Sequence, residues 1–94
     1  MDFIKLKEII VPYIKKEARE YFENEIDRLS SKIQNTGELN YIIYSLLCRL
    51  SKDKPSYRLY SALLAELECC KLEFYRKKVV PYEELKLIEN GDVK

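Results

Sequence analysis

Apolar residues recur along most of this chain at the three- and four-residue steps of an amphipathic helix. Ile14, Ala18, Phe22, Ile26, Leu29 and Ile33 form one continuous stripe. They predict a helix from about Tyr13 or Ile14 to Gln34, with Glu17, Glu20, Glu23, Glu25 and Asp27 on its solvated side. Asn35-Thr36-Gly37 reads as a turn, with Thr36 placed to cap a helix that begins near Glu38 and runs to about Ser51. On that helix Leu39, Ile42, Ile43, Leu46, Leu47 and Leu50 fill one face, and Tyr41, Tyr44 and Cys48 lie on the other. A short helix that is apolar on two sides is expected to be central in its bundle or covered by another subunit.

Lys52-Asp53-Lys54-Pro55 makes the next connection, and Ser56 is a plausible N-cap for a helix from Tyr57 to Val79. A helix of that length spans about 35 Å. Tyr60, Leu63, Leu67, Cys70 and Phe74 form its predicted apolar stripe. Pro81 then kinks it or begins a short helix through Glu89, because proline lacks an amide hydrogen and crowds the preceding turn. Asn90-Gly91 is a stop signal. Before Pro12, residues 2–10 form a short amphipathic piece. The predicted fold is all-α: a small bundle of three main helices, a helical hairpin plus one long C-terminal helix kinked near Pro81, with a short N-terminal helix. Residues 1–94 read as a single domain, with self-association expected.

Composition narrows the function. The formal net charge of +1 supplies no global field to attract nucleic acid or anionic lipid. The uncharged stretch Leu39–Cys48 is too short to span a bilayer. Lys5 and Lys7 interrupt the N-terminal apolar residues, so no secretion signal is read there and a cytoplasmic protein is expected. The three cysteines, Cys48, Cys69 and Cys70, make no disulfide framework, and the chain has no histidine. No structural metal and no cofactor are expected. The missing histidine also removes the commonest general acid/base near neutral pH, and no phosphate-binding loop, nucleophile elbow or metalloprotease motif occurs. A non-enzymatic protein is the expectation.

Three polar groups are candidate sites. Glu68, Lys71, Tyr75 and Lys78 lie three and four residues apart along the edge of the long helix's apolar stripe. They are read either as a tyrosine-lined pocket in which lysines bind an anion, or as an ion pair whose heads reach water. Tyr13, Lys15 and Lys16 follow Pro12 at a helix start, where free amides favour anions; the alternative is a solvated first turn. Arg76-Lys77-Lys78 is a short basic run, with Glu66 and Glu73 nearby to offset it, so nucleic acid is not the expected partner. The eight tyrosines and three phenylalanines suit packing and interfaces, and Tyr41, Tyr44 and Cys48 are the expected interface residues.

The segments Pro12-Tyr13-Ile14-Lys15-Lys16-Glu17, Gly37-Glu38-Leu39-Asn40-Tyr41, Leu67 to Arg76, Pro81-Tyr82-Glu83 and Asn90 to Val93 together resemble a family of small uncharacterised helical proteins of bacteria and their phages. The resemblance covers the chain from Pro12 onward and implies that residues 1–11 are an extension. It carries a fold, with no reaction and no cofactor. It also implies a setting, the host cytoplasm, in which such proteins act by binding. The leading expectation is therefore a self-associating helical protein that sequesters a small anionic, nucleotide-type ligand and so counters host defence signalling. Its ligand contacts would be Tyr13, Lys15, Lys16, Glu68, Lys71, Tyr75 and Arg76. The alternatives are an adaptor or inhibitor of a host protein, and a nucleic-acid-binding accessory protein.

Overall fold

The computed structural model describes residues 14–91, and every regular element among them is helical. Helix α1 spans Lys16–Lys32, α2 Thr36–Ser51 and α3 Tyr57–Phe74. A π-helical turn, Tyr75–Val79, leads directly into α4, Val80–Asn90. The expected helix over residues 2–10 falls outside the described residues. The chain divides into two compact units, one ending at Ile43 and the other beginning at Tyr44.

In the first unit, α1 opens without a side-chain cap at Lys15, and the Arg19 Nε donates to the Ile14 carbonyl at 2.8 Å. The helix ends two residues before the expected limit, because Ile33 adopts an extended backbone at ψ 121°. The start of α2 also differs from expectation. Thr36 lies inside the helix, and Asn35 caps it: the Glu38 amide donates to Asn35 Oδ1 at 2.8 Å. Glu38 reaches back in turn and accepts the Gln34 amide at 2.7 Å. This reciprocal arrangement is a variant of the capping box, in which two otherwise unpaired amides are satisfied at once. Gly37 suits it, since a Cβ there would stand 3.3 Å from Asn35 Oδ1.

In the second unit, α2 closes with Ser51, whose hydroxyl donates to the Leu47 carbonyl at 2.8 Å. At 9% exposure it is the most shielded side chain among the described residues. Ser56 caps α3 as expected, accepting the Leu59 amide at 3.1 Å. The helical path then runs unbroken through Pro81. The Val80 amide bonds to the Tyr75 carbonyl, five residues back. Widening the turn in this way relieves the clash between the proline ring and the preceding carbonyls. The stop falls at Gly91, whose φ of 82° lies where glycine is favoured and whose amide bonds to the Leu87 carbonyl at 2.9 Å.

No apolar side chain among the described residues is buried. Ile42, Ile43 and Leu47 of α2, and Leu59, Leu63 and Leu67 of α3, are partly shielded. Phe22 and Ile26 of α1, Leu46 and Leu50 of α2, and Leu64 and Phe74 of α3 are exposed. The stripe expected on α3 is thus shielded at Leu63 and Leu67 and open at Tyr60, Cys70 and Phe74.

Candidate functional site

The residues expected to bind an anion fall into separate local groups. Helix α3 places Glu68 and Lys71 one turn apart, with Nζ and Oε1 at 3.5 Å. Their side chains are 59% and 73% exposed, so the pair stands in water, where such contacts contribute little to stability. They therefore form a solvated ion pair on the outer surface of α3, away from its shielded face. Lys15 and Lys16 lie at the start of α1, in the other compact unit, and Tyr13 lies outside the described residues.

Tyr75 belongs to a different constellation. Its hydroxyl donates to Glu83 Oε1 at 2.9 Å, eight residues along the chain. An eight-residue step on a regular α-helix overshoots two full turns by nearly one residue. The π turn absorbs that excess residue and brings Tyr75 and Glu83 onto one face. The hydrogen bond to Glu83, followed by the carboxylate's charge and then by desolvation, raises the Tyr75 hydroxyl above its usual value of 10.0.

Arg76 and Lys77 both turn back to Glu73. Arg76 Nη2 pairs with Glu73 Oε2, and Lys77 Nζ lies 2.9 Å from Glu73 Oε1. Glu73 is the more shielded partner, at 25% side-chain exposure, and an acid in that position is stabilised by two cations. Lys78 enters none of the ion pairs among the described residues. On α4, Lys86 pairs with Glu89 at 3.1 Å and lies 5.5 Å from the Tyr82 ring centre. The basic run is thus partly offset by Glu73 of the preceding helix, which engages two of its three cations. Glu73 offsets the run as its spacing suggested, whereas the clasp between Tyr75 and Glu83 was not read from the sequence. Pro81 stands just after the wide turn that aligns Tyr75 and Glu83, but a proline alone does not specify a π turn.

The expected interface residues are open. Tyr41 and Tyr44 are 69% and 65% exposed, and Cys48 is exposed as a free thiol. Tyr44 and Cys48 stand four residues apart on α2, and the neighbouring thiol, as a hydrogen-bonding group, is the main cause raising the Tyr44 hydroxyl above 10.0. The Cys48 charge and desolvation raise it further. Cys69 and Cys70 are also exposed and free, and no cluster of potential metal ligands occurs among the described residues.

One concave feature lies in the first unit, at the connection between α1 and α2. It is an open, shallow cleft of about 480 Å³ with an apolar floor formed by Leu29, Ile33 and Ile42. Lys32, Glu38 and Tyr41 form its rim. The Asn35–Glu38 cap fixes the rim on the α2 side, so the cleft is a product of the turn itself.

Among the described residues, these features define a small all-helical protein whose polar contacts are local in sequence and whose apolar side chains are exposed or only partly shielded. No helix among the described residues is long and apolar enough to cross a membrane. The chain belongs to a family described as a domain of unknown function, DUF6899, whose model matches residues 11–93. No curated protein and no solved structure matches it.

Proposed function

We infer that this chain is a non-enzymatic, self-associating helical binding protein, with copies of itself as the first partner. The observation that carries this reading is the absence of any buried apolar side chain among the described residues, beside the exposed stripes of α1, α2 and α3. Ordering a residue costs on the order of 1–2 kcal/mol of backbone entropy. In proteins, the packing of an amphipathic face against a partner normally offsets that cost. Here the stripes find that partner in further copies, and the small helical bundle is completed between chains. The near-neutral net charge raises no long-range barrier to such contact. Sedimentation velocity from about 1 to about 100 μM, the range a micromolar association spans, tests the reading. A rising sedimentation coefficient accompanied by rising helicity is expected. A fully helical monomer across the whole range overturns it.

A second reading adds an anionic ligand to the assembly, in the bacterial or phage setting that the sequence resemblance implies. It draws support from Lys15, which stands at the start of α1 with no side-chain cap bond, followed at once by Lys16. Open amides and two cations suit a phosphate. Thermal melts with linear and cyclic nucleotides check it. A rise in melting temperature that disappears in Lys15→Ala supports the reading, and no rise at about a hundred times a micromolar Kd removes it.

A further inference from the structure

The cleft between α1 and α2 carries its own charge pattern, and that pattern selects an occupant. Lys32 belongs to the last turn of α1 and Glu38 to the first turn of α2, so each helix contributes one charge, of opposite sign, to the lining of a largely apolar cleft. Lys32 enters none of the ion pairs among the described residues. Glu38 is held in place by its bond from the Gln34 amide, which occupies Oε1. A patch with one charge of each sign on opposite sides of its centre is complementary to itself under a two-fold rotation. In a two-fold dimer seated on the cleft, Glu38 of the partner subunit would pair with Lys32, and the same pair would repeat on the other side.

We propose that this cleft is the centre of an isologous dimer, the seat of a second copy of the same chain related by a two-fold axis, with Lys32 and Glu38 paired across the interface. The inference rests on the self-association reading and deepens it by naming the surface and the symmetry. Tyr41, open at the rim, is the aromatic anchor, a residue type enriched where interfaces concentrate their binding energy. The apolar lining continues along α1, because Leu29 and Ile33 also end the stripe that runs through Phe22 and Ile26. This continuity extends the patch toward the roughly 1,200 Å² of total buried surface that a stable interface needs. A ligand of a single charge would leave one side of the rim unmatched. A second copy satisfies both.

Charge reversal tests the assignment. Lys32→Glu places like charges together twice in each dimer and is expected to weaken self-association by roughly tenfold or more. Glu38→Lys does the same from the other side. An equimolar mixture of the two variants restores opposite charges at both contacts, so a mixed dimer of near wild-type stability is expected by sedimentation. Glu38→Lys also loses the bond to the Gln34 amide, so circular dichroism is recorded alongside. If that variant loses helicity, Tyr41→Ala with Lys32→Glu provides the pair of weakened variants. Wild-type protein that associates as strongly after Lys32→Glu as before overturns the cleft as the interface and leaves self-association standing. A wild-type monomer overturns self-association itself, and the cleft interface with it.

Discussion

Asn35 and Glu38 fix the start of α2 through two bonds that run in opposite directions, from the Glu38 amide to Asn35 and from the Gln34 amide to Glu38. Removing such a cap costs about 1 kcal/mol, within a range of roughly 0.5–2. Asn35→Ala is therefore expected to lower stability by that amount in thermal melts followed by circular dichroism. Ser56→Ala, which removes the acceptor for the Leu59 amide, is expected to have a similar effect. Thr36→Ala is expected to change little, since Thr36 lies within the helix and makes no cap bond. Tyr75 gives a pH-dependent signal at the same scale. Its hydroxyl is raised by Glu83, and the protonated phenol is the form that donates. A raised folded-state value means that the contribution is present below the ordinary tyrosine range. It fades as pH climbs through the folded value. In an ultraviolet phenolate titration, Tyr75→Phe removes a late-ionising component. Cys48→Ser shifts a second one, from Tyr44, downward.

At the scale of elements, the stretch from Tyr57 to Asn90 behaves as one helical rod with a widened turn just before Pro81. Pro81→Ala supplies an amide hydrogen and removes the ring, so the turn is expected to relax to α geometry. The gain in stability should be smaller than the roughly 3 kcal/mol separating proline from alanine inside a helix, because the π turn already relieves much of the clash. Relaxation rotates α4 by nearly one residue's angle and takes Glu83 off the face of Tyr75. The measurable result is a Tyr75 phenol that titrates in the ordinary range and slower amide exchange around residue 81. An unchanged Tyr75 titration would show that the wide turn does not depend on the proline. The helices themselves were legible in the sequence because apolar spacing, Ser56 and Asn90-Gly91 are local signals. The choice of Asn35 over Thr36 was not, since both residue types cap and only backbone geometry separates them. The Glu68–Lys71 pair was legible as a spacing. Its exposure was not, because the shielded face of α3 depends on what packs against it. The Tyr75–Glu83 clasp depends on a turn type that has no simple sequence signature.

At the scale of the whole molecule, the decisive quantity is the apolar surface left open. Fully burying a leucine, isoleucine or phenylalanine side chain contributes about 1.5–3 kcal/mol. Covering Phe22, Ile26, Leu39, Leu46 and Leu50, all exposed, would therefore supply much of the 5–15 kcal/mol, roughly, that keeps a domain folded. If the proposed self-association supplies that cover, folding and association are one process, and helicity is expected to rise with protein concentration. The three thiols report where the covering occurs. Cys48 shares the outer face of α2 with Tyr44, whereas Cys69 lies on α3 beside the Glu68–Lys71 pair. At the lowest concentration both are expected to react with a thiol reagent at similar rates, as exposed groups. On concentrating the protein, contact over Tyr41, Tyr44 and Cys48 should slow Cys48 selectively and leave Cys69 as an internal reference. Single-cysteine variants, with the other two positions changed to serine, separate the two rates. Equal reactivity at all concentrations, in a protein shown to associate, would remove the outer face of α2 from the interface. The association would then be carried by α1 and the cleft at its end.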